Sequence, residues 1–331
     1  MSARALLYCA GGGIGDSLIA SVVARALHGR YERVDALTLP GHEETLARVP
    51  DIDSVLVDRG QSESDLAAQL RAAGYEAAIV TWATARTARV AKLAAIPVRV
   101  GQTRRLYSNS FTHKVCVRSE TGDVITHWSQ ILLDYARAIG CDTADAQPHF
   151  ISTPADEGQA DRLLASTRRD FALVHPTCAI SPRRPVWPLD GWVDLVRRLQ
   201  VRFNIPVLIS GGPDDLPLLQ PLLNATGAFS IVGKTSIGGF AAVAKRARAF
   251  VVMHSGPMHV AAAVGAPTIG VFPLQADFPD RWAPVGARVQ VVRSSYCCRP
   301  GELMETCPDY ACIQGLPVPR ILAAVEALVV A

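Results

Sequence analysis

The chain has 331 residues, 49% of them hydrophobic and 19% charged, with a formal net charge of +3. That balance excludes a disordered chain. The positive excess is too small to indicate a nucleic-acid partner, though it suits an anionic substrate or an anionic membrane surface. The length fits two domains, each able to bury its own core.

Ser2–Cys9 lacks the long apolar region of an export signal and reads as a first strand. No uninterrupted apolar run reaches the ~18 residues of a membrane span. Eight cysteines without an export signal indicate reduced thiols, so a soluble cytoplasmic protein is expected. Strands are predicted at Ala5–Cys9, Val34–Leu39, Ser54–Val57, Ala77–Thr81 and Val98–Val100. Helical patterns lie between them at Ser17–His28, His42–Arg48, Ser62–Ala73 and Thr84–Ala95, followed by Ile125–Ile139 before Gly140.

Asp142–Pro154 is polar, contains proline and has no period, so it reads as a linker. The alternation then restarts. Strands are predicted at Phe171–His175, Val207–Ser210, Phe229–Val232, Phe250–Met253 and Thr268–Phe272. Helices are predicted at Asp156–Ser166, Asp190–Arg202, Asp214–Leu223, Ile237–Ala247 and Met258–Val264, and Pro317–Val330 closes the chain. Nearly all-apolar strands alternating with helices specify an α/β chain with parallel sheets covered on both faces. The expected division is a first Rossmann-like domain over 1–150, a second over 151–316, and a final helix over 317–331 that could return to the first domain.

Two motifs follow strands. Gly11-Gly12-Gly13-Ile14-Gly15-Asp16 opens the first helix. It is neither a dinucleotide fingerprint, which needs glycine where Asp16 stands, nor a phosphate loop, which needs Gly-Lys-Ser/Thr. Asp16 reads either as a helix cap or as a reactive carboxylate in space cleared by glycines at the strand tips. His254-Ser255-Gly256-Pro257-Met258-His259 joins a strand to a helix with proline in its first turn. A helix start presents N–H groups and a positive dipole end, so it attracts phosphate. His259 reads either as a ligand of that site or as a core histidine.

Together these segments resemble glycosyltransferase family nine, which includes the heptosyltransferases of lipopolysaccharide synthesis. The resemblance implies two doubly wound domains facing a cleft, the GT-B arrangement. It also implies an inverting transfer of sugar, by analogy heptose from ADP-heptose, to a lipopolysaccharide-core or other cell-envelope glycan. Gly-Ile-Gly-Asp-Ser-Leu matches the family's opening motif, and the role of general base falls on Asp16, with Gly13 and Gly15 beside it on the acceptor side. Thr177, Ser181 and Arg184 occupy the segment that holds the donor diphosphate in the family. Pro185 stands where the family often has lysine, so Arg184 is the nearest cation. Gly212 and Lys234 fall where the family contacts the nucleoside. Ser255, Gly256 and His259 would complete the anion cradle, and His254 replaces the family's usual aspartate.

On the acceptor side, Arg104 and Arg105 lie in a basic loop, and His127 opens the next helix where the family also has a histidine. The loop suits an anionic glycan or glycolipid acceptor or is simply an exposed polar loop. Cys297, Cys298, Cys307 and Cys312 form a cluster for which a structural metal, reduced packing thiols and a disulfide all remain open. No cofactor beyond the nucleotide sugar, an ADP-sugar by analogy, is expected, nor any nucleic-acid partner. Peripheral contact with the cytoplasmic face of the inner membrane fits the acceptor. Two alternatives stay open: a nucleotide-sugar epimerase on a similar scaffold, and a non-catalytic nucleotide- or glycan-binding relative.

Overall fold

A computed structural model describes residues 3–165, 167, 170–178, 187–274, 279–295, 307 and 310–330. The chain folds as two compact units, Met1–Ile151 and Ser152–Ala331. The first unit carries a six-stranded sheet in the order β3-β2-β1-β4-β5-β6. Its strands are β1 Arg4–Cys9, β2 Arg33–Thr38, β3 Ser54–Val57, β4 Ala77–Thr81, β5 Val98–Gln102 and β6 His113–Val115. The second sheet runs β9-β8-β7-β10-β11-β12. Its strands are β7 Ala172–His175, β8 Val207–Ile209, β9 Phe229–Ser230, β10 Ala249–Met253, β11 Thr268–Phe272 and β12 Val289–Arg293. Every strand pair is parallel.

Counted within each unit, both sheets have the doubly wound order 3-2-1-4-5-6. The winding of this topology reverses between the first and fourth strands, and the loops leaving those two strands diverge there. In the first unit these are the loops after Cys9 and Thr81. In the second they are the loops after His175 and Met253.

Local chemistry sets the helix starts. The side chains of Ser62, Thr84, Thr153 and Ser236 each accept the N–H three residues on, which satisfies a donor that the helix leaves unpaired. Thr153 with Pro154 at the first helical position starts the helix Pro154–Leu164 two residues before the polar pattern suggests. His127 caps Trp128–Arg137, so the apolar Val124 and Ile125 stay outside that helix and exposed.

The two edge strands β6 and β12 are additions to the predicted set. Their residues are partly exposed, so neither shows the all-apolar run of a doubly covered strand. The final helix Val318–Val330 packs on β10, β11, β12 and the helix Leu189–Phe203, all of its own unit. Ile321, Leu322, Val325 and Leu328 there join the core formed by Val174, Leu195, Val251 and Ile269. Among the described residues no helix is long and apolar enough to cross a membrane.

Candidate active site

In the first unit the glycine loop leaves β1 and enters the helix Ile14–Leu27, with Gly13 as the extended residue before it. Asp16 stands in the first turn and its Oδ2 accepts the Gly13 N–H at 2.6 Å. The carboxylate therefore does cap its helix, and at that end it also meets the positive end of the dipole, worth about 0.3–1 kcal/mol. Burial pushes the Asp16 carboxyl above the ordinary aspartate range, against the lowering effects of the Gly13 amide, its own amide and His42. Capping and reactivity are compatible here: one oxygen is tied to the loop while the group keeps a raised proton affinity.

The glycines are required by space as well as by backbone. Gly12 has φ +80°, and a Cβ on it would lie 2.5 Å from Asp16 Cγ. Gly15 is buried in the first turn. His42, which sequence reasoning passed over, reaches the same place from the loop after β2. Its Nδ1 lies 2.9 Å from Ser17 Oγ. Burial lowers the His42 pKa, opposed by Asp16 and Glu43. The two residues lie far apart in sequence, and only the β1–β2 pairing brings them together.

Trp82 follows β4 at the switch point and has φ +48°, a rare conformation for a bulky residue. A Cβ on Gly11 would touch Trp82 Cβ at 3.5 Å, so the tryptophan borders the glycine loop. Arg104 and Arg105 both reach Glu120, and of these two contacts only that of Arg105 is an ion pair. Arg104 Nη1 donates to the Glu120 carbonyl at 3.0 Å, and Arg105 Nη2 donates to Glu120 Oε1 at 2.6 Å. His127 Nδ1 accepts the Ser129 N–H at 3.1 Å and lies 2.8 Å from Ser129 Oγ, so the ring is engaged with the start of its own helix.

In the second unit the loops after β7, β8 and β10 gather buried polar groups. Thr177 Oγ1 donates to Asp215 Oδ2 at 2.7 Å, and the Gly212 N–H donates to the same oxygen at 2.8 Å. The Thr177 proton, expected to face phosphate, and the Gly212 N–H, expected near the nucleoside, are both held by a carboxylate that sequence reasoning missed. His175 is buried with Nδ1 3.1 Å from Ser210 Oγ and Nε2 3.3 Å from Thr177 Oγ1. Burial drives its pKa down to about 4, only partly opposed by Asp215. Lys234 is exposed and its Nζ donates to the Ser230 carbonyl at 2.8 Å.

Ser255 is extended and precedes the helix Gly256–Ala263, which has Pro257 in its first turn and no acidic residue there. Its hydroxyl donates back to the Met253 carbonyl at 3.1 Å, and among the described residues no side chain caps this start. His259 is buried in the first turn. The His254 ring lies on Phe272 with centroids 5.3 Å apart and planes at 27°, and its carbonyl accepts Cys178 Sγ at 3.3 Å. Ser181, Arg184, Pro185, Cys297 and Cys298 lie outside the described residues. Cys312 is buried in the core, and the Tyr310 N–H points to Cys307 Sγ at 3.3 Å.

Two doubly wound units of identical strand order, each with polar loops at its switch point, match the GT-B fold. Residues 64–309 match the profile of Glycosyltransferase family 9 (heptosyltransferase), and the chain belongs to that family. It is similar to the family 9 glycosyl transferase of Veillonella parvula, with a TM-score of 0.84 at 18% identity over 99% of this chain and 97% of that one. The ADP-heptose lps heptosyltransferase II of E. coli gives 0.81 at 19% identity over 99% and 98%. A Haemophilus influenzae protein provisionally named a glycosyltransferase is 21% identical over 264 residues, 75% of this chain and 76% of its own.

Gly12→Ala should force Asp16 aside and strain the loop. The expected result is a stability loss of about 1–2 kcal/mol in urea unfolding and at least a tenfold slower sugar transfer. For His175, the unfolded chain takes up the proton near pH 6.5 and the folded chain only near pH 4. Stability from this residue is therefore complete above 6.5 and lost as pH falls to about 4, a change of about 3 kcal/mol. Urea unfolding across that range should show the wild type losing that much more than His175→Gln.

Proposed function

We propose that the chain transfers a sugar, with inversion, from an ADP-sugar to a cell-envelope glycan, the donor sugar being a heptose and the acceptor a lipopolysaccharide core. The observation that carries the chemistry is Asp16: a half-buried carboxyl of raised pKa at a switch point, in space that only glycine leaves open. In this reading Asp16 takes the proton of an acceptor hydroxyl as that oxygen attacks the anomeric carbon. The bond from the anomeric carbon to the donor phosphate breaks, and the diphosphate leaves with the negative charge.

The start of the helix Gly256–Ala263 receives that charge through the backbone N–H groups of Ser255 and Gly256, with His259 beside them and Arg184 as the cation. The Gly211–Asp215 turn serves the nucleoside. The family membership supports a nucleotide-sugar donor, and the name of the E. coli relative supports ADP-heptose. If the helix dipole and Arg184 neutralise the leaving group, the transfer requires no metal.

The reading places the enzyme at the cytoplasmic face of a membrane that holds a lipid-linked acceptor. Its support is a cluster in the first unit. Leu106 is 99% exposed and Ile125 73% exposed, and Arg104 and Arg105 tie their two loops together through Glu120. Lys114, whose Nζ donates to Asn109 Oδ1 at 3.0 Å, is a further exposed cation of the stretch that follows Leu106. Apolar tips with basic neighbours suit insertion into an anionic lipid surface.

Asp16→Asn should reduce transfer by at least a thousandfold while calorimetry shows ADP binding within twofold of wild type; wild-type transfer by this variant would remove the base. Because the base acts deprotonated, activity should rise with pH through a limb displaced above the ordinary aspartate range. His42 favours the carboxylate, so His42→Ala should move that limb to higher pH. In flotation with phosphatidylglycerol-rich vesicles, Leu106→Asp with Ile125→Asp should lower binding several-fold and leave transfer to a soluble acceptor unchanged.

A further inference from the structure

The segment Asp142–Pro154 reads in the sequence as a linker, yet most of it is fastened down. Its start is held by Arg137 of the helix Trp128–Arg137, whose Nε donates to Asp142 Oδ1 at 3.0 Å. Its middle is held by Arg25, in the last turn of the helix Ile14–Leu27. Arg25 Nη1 donates to the Gln147 carbonyl at 2.8 Å and the Asp145 carbonyl at 3.2 Å, and pairs with the Asp145 carboxylate at 2.9 Å. Its Nη2 pairs with Asp51 at 2.7 Å, so the guanidinium is itself anchored in the first unit. A planar fork of charged donors makes such bonds directional as well as strong. Within the segment, Asp142 and Asp145 take the N–H groups of Thr143 and Gln147, and the Thr143 hydroxyl takes that of Asp145. Its end is held too: the Ile151 N–H donates to the Arg48 carbonyl at 2.8 Å.

The second unit takes over almost at once. Thr153 caps the helix Pro154–Leu164, and its own N–H donates to Asp156 Oδ2 at 2.8 Å. Pro154 fixes its own φ, and its ring keeps Thr153 in the extended region, at φ −86° and ψ 166°. Ser152 therefore stands between an amide tied to the first unit and a residue that proline and a cap lock to the second. The chain crosses between the units once, since they are the continuous stretches Met1–Ile151 and Ser152–Ala331.

We infer that Asp142–Ile151 is a strap belonging to the first unit, and that reorientation of the two units is confined to the backbone of Ser152. The mechanical assignment stands on these contacts; its consequence for catalysis rests on the transferase reading. In that reading Asp16 and the start of Gly256–Ala263 serve one reaction from separate units. Free chain between two such groups lowers the effective concentration at which they meet. A hinge of one residue offers only its φ and ψ and keeps that concentration high. Release of the strap would add the whole of Asp142–Ile151 to the free chain.

Hydrogen exchange on the full-length protein, followed by mass spectrometry, reads the strap without any substrate. Amides of 143–151 should exchange at least tenfold more slowly than an unstructured peptide of the same sequence. Arg25→Met keeps the aliphatic stem and removes the guanidinium. It should speed exchange over 143–149 about fivefold with the amides of β1 and β2 unchanged, and cleavage before Asp145 by an aspartate-directed endoproteinase should quicken to match. Two insertions then separate hinge from strap with Arg25 intact, so they decide the matter even if the Arg25 variant does not fold. A short Gly-Ser insert after Ser152 should slow sugar transfer at least tenfold with ADP affinity within twofold of wild type. The same insert after Ala144, between points fastened by Arg137 and Arg25, should leave transfer within twofold. Random-coil exchange over 143–151 in the wild type, exchange unaltered by Arg25→Met, or equal transfer by the two insertion variants would overturn the assignment. An inactive wild type with the expected exchange pattern would count against the transferase reading instead.

Discussion

Parallel strands wound in the order 3-2-1-4-5-6 put every helix start over the same edge of the sheet. Each start brings unpaired N–H groups and a positive dipole end, and something negative must meet them. The two units resolve this in opposite ways. In the first, Asp16 fills its own helix start and takes the Gly13 N–H, so that position rejects a further anion. In the second, Ser255 turns its hydroxyl to Met253 and the first turn holds no acidic residue, which on the proposed reading leaves the start of Gly256–Ala263 to the donor diphosphate.

The chemistry of Asp16 depends on how incompletely the first arrangement satisfies it. A carboxylate fully stabilised by amides would be a poor base. Burial works against those amides here and leaves the group with a raised proton affinity. Gly12 is the residue that permits both, because it provides the positive φ and the space in which Asp16 Cγ sits. In the second unit the network of Asp215, Thr177, Gly212 and His175 is saturated by its own members. It links the loops after β7 and β8.

Much of the fold was legible because doubly covered strands are apolar throughout: β1, β4, β7, β10 and β11 each read directly from sequence. The edge strands β6 and β12 were not legible, since His113, Lys114 and Gln290 face solvent and break the run. For the candidate site, strand–turn–helix order pointed to Asp16 and Ser255–His259, whose places are set by local backbone. It could not show His42, Trp82 or Asp215, which join through strand pairing and through loops that meet at a switch point. Nor could it tell that Arg105 is paired with Glu120, because a charge count along a loop does not reveal who neutralises whom.

The most direct test is a crystal structure of the protein with bound ADP, read for the position of the diphosphate. Density is expected over the Ser255 and Gly256 amides, with the start of the helix Ile14–Leu27 occupied by the Asp16 carboxylate alone. A diphosphate lying on the Gly11–Gly13 loop, with Asp16 displaced or protonated against it, would contradict the division of labour between the two helix starts.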